Sequence, residues 1–376
     1  MYFIFKRIQL FFIREKLFTL LVVIYVTLLV IDNNLLFKTI HYINIDTLSL
    51  IVSLLLVSRG LEFSGFFSRV SKWILEKSTG SVIKLYLLVI VFSALSSTII
   101  MNDTSLFIFI PFIMTLSRYL GRLDYLLVLT TISANMGSSL TPIGNPQNII
   151  IWQYYKLDFI DFVYAMVPFL LIGITILIIY LFVGVKKFIG YKQCGRTLVP
   201  RIRLNKKLFV TSIILLTLNV LLAQLGLQVY GLVVTVVIYG ILEKTLVLGL
   251  DYVLIFIFAF MFIDFNELSH IIDTLNMIPQ LKTSFHVILL SCLLSQVISN
   301  VPTTITLVGH IPSPLWKALA LGVNLGGVGF IVGSMANIIA LRMSYLNLKT
   351  FHKYALPYFA IMFTIILLLA YHNIYP

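Results

Sequence analysis

Long apolar stretches dominate the chain, and short polar islands interrupt them at a few places. Uncharged runs extend over residues 18–31, 162–185, 208–242 and 354–371. Each run is long enough for a membrane-spanning helix or close to it, since such a helix takes about 20 residues. Backbone polar groups in lipid must be satisfied within the segment, so the runs predict helices. The alternation of a membrane β-barrel is absent. The pattern predicts an all-α polytopic membrane protein.

Two of the apolar stretches contain a polar tip, which predicts a re-entrant helical hairpin in each. The first covers 85–117 and turns near 102–104, and its flanks Lys84 and Arg118 place both ends on one side of the membrane. The second covers 285–308 and turns at 299–304. The candidate site residues at the two tips are Asn102, Asp103, Thr104, Ser299, Asn300, Pro302, Thr303 and Thr304.

Helix-breaking and polar residues interrupt two further predicted spans, 125–151 and 315–341. A break inside the membrane frees backbone N–H and C=O groups, which must line a cavity or bind something because each unpaired group costs several kcal/mol in lipid. Free helix N-termini attract anions, and free carbonyls coordinate Na⁺. The candidate site residues in the two breaks are Asn135, Gly137, Ser138, Ser139, Thr141, Pro142, Gly144, Asn145, Asn148, Asn324, Gly326, Gly327, Ser334 and Asn337.

The two interrupted spans are related to each other in sequence. Residues 135–150 align with 324–339 without a gap, and six of the sixteen positions are identical. Each segment also follows a hairpin tip that contains asparagine. An odd number of predicted crossings before the second hairpin gives the halves opposite orientations. Inverted repeats with broken helices are typical of secondary transporters, which predicts a first repeat over 1–185, a linker over 186–207 and a second repeat over 208–376.

Smaller elements are predicted between these landmarks. Apolar spacing over 63–77 predicts an amphipathic helix on the cytoplasmic surface, and similar spacing over 268–275 predicts a second surface helix. The first spans are predicted at 17–31 and 47–57, and three helices are expected to begin near Leu208, Tyr230 and Val247. Cys194 and Cys292 give neither a disulfide framework nor a metal site.

The composition and charge agree with this picture. Hydrophobic residues make up 60% of the chain and charged residues 11%, whereas a soluble domain has about 25% charged residues. The net charge of +13 includes eight basic residues and no acid between Lys186 and Lys207. By the positive-inside rule this linker and the basic N-terminus are expected in the cytoplasm of a cell-membrane protein, next to lipid headgroups rather than nucleic acid.

The candidate chemistry is that of binding and not of an enzyme. Neither a phosphate-binding Gly-rich loop nor a His-Glu-x-x-His metal site is present, so an ion gradient, passive flux or a separate ATPase subunit must supply any coupling. Asp103 is the only acid in the four motif segments, and it is either a site for Na⁺ or a proton or a turn residue at the tip. No other cofactor or metal is expected. The glycines and asparagines are alternatively explained by kinks and close helix packing.

At these four segments the chain resembles the ion transporter superfamily, which includes citrate and dicarboxylate symporters, the arsenite pump membrane subunit and sodium/proton antiporters. The segment 135–148 looks like the first broken-helix motif of the citrate-transporter-like members, and 324–337 looks like its partner. The resemblance covers about residues 15–371. It implies a scaffold and a moving transport domain in an elevator mechanism, commonly a homodimer, with cargo and cations bound between the hairpin tips and the broken helices.

The sequence also departs from the family pattern. The sodium-coupled dicarboxylate members carry Ser-Asn-Thr at both tips, whereas here the tips read Asn102-Asp-Thr and Ser299-Asn-Val. The Asn-Asp tip is closer to the arsenite-type members. The function that the resemblance as a whole implies is ion-coupled transport of a small anion similar to citrate or a dicarboxylate. Two alternatives stay open: export of arsenite or antimonite, or sodium/proton exchange. A non-transporting membrane scaffold is the alternative from another class.

Overall fold

A computed structural model describes residues 15–78, 81–185, 204–275 and 281–375, and these ranges contain helices and connecting turns but no strand. The basic residues Lys6, Arg7 and Arg14, residues 186–203 of the linker and Cys194 lie outside the described residues. The expectations about the cytoplasmic side that depend on these residues stay predictions.

The first half forms nine helices in the part of the chain that is described. Their first residues follow polar capping side chains at several places, including Asn44, Ser81 and Asn145, which accept hydrogen bonds from N–H groups of the first turn. The helices are α1 Lys16–Ile31, α2 Leu35–Tyr42, α3 Ile45–Phe63, α4 Phe66–Lys77, α5 Val82–Ile99, α6 Asn102–Leu120, α7 Asp124–Ser138, α8 Pro146–Tyr154 and α9 Phe159–Val185.

The second half also forms nine α-helices within its described residues, and two short 3-10 turns accompany them. Asn205, Asp251, Thr283 and Asn347 cap four of these helices in the same way. The helices are α10 Lys206–Gln224, α11 Gln228–Leu242, α12 Lys244–Leu248, α13 Tyr252–Thr274, α14 Ser284–Ile298, α15 Asn300–Val308, α16 Trp316–Gly326, α17 Met335–Met343 and α18 Leu348–Tyr371.

The described helices fit a multi-pass membrane protein. Five of them, α5, α9, α10, α13 and α18, are long and apolar enough to cross a bilayer, and α2 with α3 forms a sixth candidate that is bent by 53°. The shorter apolar helices include α14, which ends just before the second polar tip, and the first part of α6, which begins with the first tip. The predicted all-α membrane architecture is confirmed.

Several predicted elements differ from the structure. No separate surface helix exists at 268–275, because α13 continues to Thr274 and its acidic residues are buried or paired there. Glu267 accepts a hydrogen bond from Tyr42 at 2.9 Å, and Asp273 lies 2.7 Å from His310. The helix predicted to begin near Val247 begins at Tyr252 instead, because the short α12 ends at Leu248 and a turn follows it. Helix α2 was not predicted.

The described helices share one main apolar core and three smaller clusters, of which the one that contains Leu56 is called the smaller core. The main core runs through both hairpins and both broken helices. The smaller core belongs to α3 and α10–α12, where Leu56 and Val57 contact Leu215 and Tyr239. Helices α10–α12 therefore pack mainly against α3, and Leu50, Ile51 and Leu54 of α3 also belong to the main core.

Helices α5–α9 and α14–α18 repeat one order of elements: a hairpin, a broken helix and a long final helix. Across the repeats, α7 packs against α17 and α8 packs against α16. The hairpin helices that begin at the tips also contact the opposite repeat, since α6 packs against α17 and α15 packs against α8. The first part of each broken helix thus lies beside the last part of the other, which is the reciprocal packing of two units related by a local two-fold axis.

Candidate functional site

The two hairpin tips are built as helix N-termini. Helix α5 ends at Ile99 and α6 begins at Asn102, while α14 ends at Ile298 and α15 begins at Asn300. The predicted turns at 102–104 and 299–304 are therefore mostly first helical turns, and only Ser299, with φ +80°, lies in the turn itself. The side chains of Asn102 and Asn300 explain the difference, because each accepts a hydrogen bond from the next backbone N–H at 3.0 and 2.9 Å.

The two broken helices also restart with a capping side chain. In the first, α7 ends at Ser138 and α8 begins at Pro146, with the Asn145 Oδ1 accepting from the Asn148 N–H at 2.9 Å. In the second, α16 ends at Gly326 and α17 begins at Met335, with the Ser334 Oγ accepting from the Ala336 N–H at 3.3 Å. Each break therefore presents a new helix N-terminus inside the protein.

Four asparagines join the two breaks in a reciprocal pattern. The Asn135 side-chain amide donates to the Asn337 Oδ1 at 2.9 Å, and the Asn324 amide donates to the Asn148 Oδ1 at 2.7 Å. In the sequence alignment Asn135 corresponds to Asn324 and Asn148 corresponds to Asn337. One bond is therefore the repeat image of the other, as expected when two copies of a unit are related by a local two-fold axis.

Further bonds obey the same relation. The Asn145 amide donates to the Asn324 Oδ1 at 2.9 Å, and its counterpart Ser334 donates to the Asn135 Oδ1 at 3.3 Å. The Asn148 amide donates to the Ser138 carbonyl at 3.2 Å, and the Asn337 amide donates to the Gly327 carbonyl at 2.9 Å. The symmetry thus extends from the asparagines to the backbone that the breaks expose.

The hairpin tips complete this arrangement. The Asn102 amide donates to the Asn135 Oδ1 at 2.9 Å, and the Asn102 N–H donates to the Gly144 carbonyl at 3.0 Å. A Cβ on Gly327 would lie 2.9 Å from the Asn300 Nδ2, so the second tip adjoins the same residues. We call the buried set that these bonds define the amide cluster: Asn102, Asn135, Asn145, Asn148, Asn324, Ser334 and Asn337. The N-termini of α6, α8, α15 and α17 all lie beside it.

Two of the candidate glycines contact neighbouring helices and not the amide cluster. A Cβ on Gly137 would collide with the Ala94 backbone of α5. A Cβ on the corresponding Gly326 would collide with the Ser295 side chain of α14 and would lie 2.9 Å from the Cys292 carbonyl. These glycines hold each broken helix against its hairpin, so they position the cluster by close packing.

The loop residues of the first break and the proline of the second tip shape the backbone. Thr141 donates to the Thr98 carbonyl at 2.7 Å and ties the break to the end of α5. A Cβ on Gly144 would collide with the Ser138 carbonyl, and Pro142 lies in the same buried loop. Pro302 is in the first turn of α15, where the missing N–H has no helical partner to lose.

The hydroxyls near the cluster fall into two groups. Those of Ser138, Ser139 and Thr304 donate to carbonyls in their own helices at 2.9, 2.6 and 2.8 Å. Those of Ser299 and Thr303, at the second tip, are buried and have no hydrogen-bond partner. Buried polar groups in proteins are nearly always paired, so these two hydroxyls are available to a ligand.

Asp103 and Thr104 are buried in the first turn of α6, where they are 4% and 8% exposed. The N-cap position belongs to Met101, so the carboxyl of Asp103 does not cap this helix. A negative charge in the first turn is favoured by the helix dipole, whereas burial disfavours it. Among the described residues, no group of three or more His, Cys, Asp or Glu side chains is arranged to hold a metal ion.

Two glutamines that are not among the candidate residues predicted from the sequence also belong to the site. The Gln147 amide lies 3.4 Å from the Asn324 Oδ1. The Gln296 amide donates to the Gly326 carbonyl at 2.6 Å, and its Oε1 accepts from the Phe330 N–H at 2.5 Å. Gln147 lies inside the first motif segment, and Gln296 lies three residues before Ser299. This closeness to the motifs is the sequence signal that could have identified both glutamines as site residues.

A multi-pass helical protein with two broken helices that meet at a buried polar centre has the architecture of a membrane transporter. The chain belongs to the citrate transporter family CitMHS, whose sequence model matches residues 2–313. The family consists of transporters and not enzymes, which confirms the prediction of a transporter.

Similar proteins agree with this assignment. The chain is 28% identical to an uncharacterized transporter of Methanocaldococcus jannaschii, over 89% of this chain and 91% of that protein. It is 32% identical to the inner membrane protein YbiR of Escherichia coli, over 83% of each chain. In fold it is similar to the YdaH transporter of Alcanivorax borkumensis, with a TM-score of 0.51 and 13% identity over 90% of this chain and 86% of that one.

Proposed function

We propose that this protein is a secondary active transporter of small anions similar to citrate or a dicarboxylate, coupled to a gradient of H⁺ or Na⁺. The observation that carries the proposal is the convergence of the N-termini of α6, α8, α15 and α17 on the amide cluster. Each N-terminus carries about half a positive charge, and such ends bind anions.

The amide cluster supports reversible binding of a carboxylate-bearing cargo. Its side chains both donate and accept hydrogen bonds, and they now bond one another, as in the Asn135–Asn337 pair at 2.9 Å. A bound carboxylate takes over some of these donors, and the unpaired hydroxyls of Ser299 and Thr303 supply two more. Since the cargo exchanges one set of hydrogen bonds for another, the net gain is small enough for release on the other side.

The packing supports an elevator-like movement of the polar segments against a fixed unit. Helices α10–α12 share a separate small core with α3. Near the end of α8, Gln224 contacts the connection to α9 through its amide, 3.1 Å from the Leu157 carbonyl. A cavity of about 370 Å³ opens beside it, lined in part by Trp152, Lys156 and Gln228. The apolar contacts of α3 and α10 with the main core, through Leu50, Ile51, Leu54 and Ala223, form the rest of the surface along which the polar segments slide in this proposal. In this proposal the N-terminus and the linker 186–207 are cytoplasmic.

Asp103 is proposed to bind the coupling ion. It is the acid of the four motif segments, it is 4% exposed, and it adjoins Asn102 of the amide cluster. A proton neutralises this carboxyl and a Na⁺ compensates its charge, so either ion removes the free-energy cost of burying an uncompensated carboxylate. Because cargo and ion then bind at neighbouring positions on α6, the occupancy of one affects the affinity for the other.

One observation favours a second candidate, the export of a neutral oxyacid such as arsenite or antimonite. No lysine or arginine is among the buried residues of the described ranges, so no full positive charge faces the amide cluster from within the protein. A neutral cargo needs hydrogen bonds but no counter-charge, and the amides supply both donors and acceptors.

Uptake into proteoliposomes tests the proposal and separates the candidates. The reconstituted protein is given labelled citrate, succinate or arsenite, under an imposed gradient of H⁺ or Na⁺. The proposal expects accumulation of a carboxylate that stops when the gradient is collapsed. Accumulation of arsenite alone selects the second candidate. No flux of any of the three cargoes, from protein shown to be folded, would overturn both.

A further inference from the structure

A second buried carboxyl lies outside the four motif segments, on helix α13. Asp264 is 1% exposed, and both of its carboxylate oxygens are buried without a hydrogen-bond partner. It lies about midway along a helix that is long and apolar enough to span a membrane. Ionised carboxyls in such surroundings are strongly disfavoured unless a charge or several donors accompany them. A bound cation or a proton is therefore needed to neutralise the carboxyl of Asp264 in this environment.

The surroundings favour the proton over a metal cation. Sodium and other hard cations are held by several oxygen ligands at once. No group of three or more acidic or metal-ligating side chains includes Asp264 among the described residues. A proton needs only the one carboxyl, which becomes neutral and fits an apolar environment.

A series of polar contacts that reaches the surface begins at Glu267, about one helical turn from Asp264. Glu267 is three residues further along α13, also 1% exposed, and on the same side of the helix. Its Oε2 accepts from the Tyr42 hydroxyl at 2.9 Å and lies 3.9 Å from the Lys38 Nζ. Lys38 in turn lies 2.6 Å from the Asp32 carboxylate, and these two side chains are 33% and 22% exposed.

Asp32, at the outer end of this series of contacts, stays charged. The hydrogen bond from Lys38 and a second one from the Asn34 N–H lower the pKa of its carboxyl. Asp32 and Lys38 therefore form an ion pair that water can reach, one contact away from a buried acid. Protons can be exchanged with solvent at this end of α13.

The helices packed against α13 bring no donor to Asp264 itself. They are α1, α2, α3 and α15. Helix α15 has no titratable side chain, and its following residue His310 pairs with Asp273. The titratable and charged groups of the other three helices are Lys16, Tyr25, Lys38, His41, Tyr42, Asp46, Arg59 and Glu62, and none of them hydrogen-bonds to Asp264.

Helix α13 also contacts the second hairpin. It packs along α15, and Ser269 donates to the Thr306 carbonyl at 3.1 Å. The same α15 carries Thr303, whose hydroxyl is unpaired, and begins at Asn300 beside the amide cluster. A charge that appears on Asp264 therefore changes the stability of the packing between α13 and the hairpin that adjoins the cargo site.

We infer that Asp264 is a proton-binding site that couples the second hairpin to a proton gradient, with Glu267, Tyr42, Lys38 and Asp32 forming its connection to solvent. The inference rests on the proposed transport function and adds to it. With the proton bound, α13 and α15 stay packed as observed. When the proton leaves through Glu267, the uncompensated charge favours a state in which Asp264 reaches water or a new partner.

Infrared difference spectroscopy of the full chain in lipid tests this inference without any cargo. Aspartate is labelled with ¹³C at the carboxyl in an Asp103→Asn background, which removes the other buried aspartate of the described residues. We expect the C=O band of a protonated, label-shifted carboxyl at neutral pH and its loss in Asp264→Asn. Asp273→Asn, on the same helix but with a 65% exposed side chain, should leave the band unchanged.

Each further outcome bears on a separate part of the account. The absence of a labelled protonated band in the Asp103→Asn protein overturns the inference, even when Asp264→Asn does not fold. A band that is lost in Asp264→Asn, together with undiminished proton-driven accumulation by the single variant Asp264→Asn that keeps Asp103, overturns the coupling role. Loss of accumulation with retained cargo exchange supports it. Absence of all flux in the wild-type protein counts against the proposed function, and the infrared band still reports on the proton site.

Discussion

Asn135 and Asn337 are 202 residues apart in the sequence, and their side-chain amides form a hydrogen bond of 2.9 Å in the buried centre of the protein. Its repeat image joins Asn324 to Asn148 at 2.7 Å. Each half of the chain therefore completes the polar site of the other, because the Asn337 Oδ1 and the Asn148 Oδ1 accept their hydrogen bonds from the opposite half. This reciprocity makes the two interrupted helices one site.

We expect Asn135→Ala to destabilise the protein. The substitution leaves the Asn337 Oδ1 and the Asn102 amide without a partner in a buried environment, which costs about 1–3 kcal/mol for each unsatisfied group. Chemical or thermal unfolding of the detergent-solubilised protein measures the change. An unchanged midpoint would show that the bond contributes nothing to the folded state.

Gly326→Ala is expected to weaken the contact between α16 and α14. The new methyl group meets the Ser295 side chain and the Cys292 carbonyl, and overpacking of this kind costs about 1–3 kcal/mol. Gly240→Ala, in the interior of α11, is the matched control because nothing lies within 4 Å of its added methyl group. We expect the control to be neutral or to stabilise by up to about 1 kcal/mol. Equal unfolding midpoints for the two variants would contradict the packing role of Gly326.

Thr303→Val should separate function from stability. The hydroxyl of Thr303 is buried and unpaired, so its replacement by a methyl group removes an unsatisfied group and leaves the unfolding midpoint unchanged or higher. If the hydroxyl serves the cargo, the concentration for half-maximal uptake rises several-fold. Thr306→Val is the control on the same helix, because the hydroxyl of Thr306 already has a partner in the Pro302 carbonyl at 3.0 Å. Identical uptake by Thr303→Val and wild type would remove Thr303 from the site.

Asp103→Asn is expected to abolish accumulation driven by a proton gradient and to keep the exchange of cargo across the membrane. The amide preserves the size of the side chain but cannot release a proton at neutral pH. Asp161→Asn, which alters an exposed aspartate in the first turn of α9, should transport normally. Comparison of gradient-driven uptake with counterflow in the same liposomes distinguishes the two activities. Driven uptake that survives Asp103→Asn would leave Asp103 with only a structural role in the first turn of α6.

Much of the architecture is visible in the sequence because lipid imposes a simple rule. Apolar runs must be helices in lipid. Where polar or helix-breaking residues such as Asn135 and Gly144 interrupt such a run, the freed backbone groups must be buried in protein or line a cavity. The gapless match between 135–150 and 324–339 shows the repeat directly. These local signals were sufficient to predict the fold class and to select the residues of the amide cluster.

Other features depend on contacts that no local pattern encodes. The surface helix predicted at 268–275 was wrong because Glu267 is buried through Tyr42, which is 225 residues away in the sequence. The two tips were predicted as turns, whereas Asn102 and Asn300 begin helices whose first donors their own side chains satisfy. Asn135 bonds Asn337 and not Asn324, the residue that corresponds to it in the other repeat. This choice of partner also follows only from the three-dimensional packing.

The most direct test of the central claim, that the amide cluster binds the cargo, is uptake per folded molecule in proteoliposomes containing Asn135→Ala or Asn219→Ala. Asn219 is a buried asparagine of α10 whose amide donates to Thr235 at 2.8 Å, away from the cluster. Both variants lose a buried amide bond, so both should lose stability. The account predicts that Asn135→Ala loses substrate-dependent uptake and that Asn219→Ala retains it. Equal uptake by the two variants would contradict it.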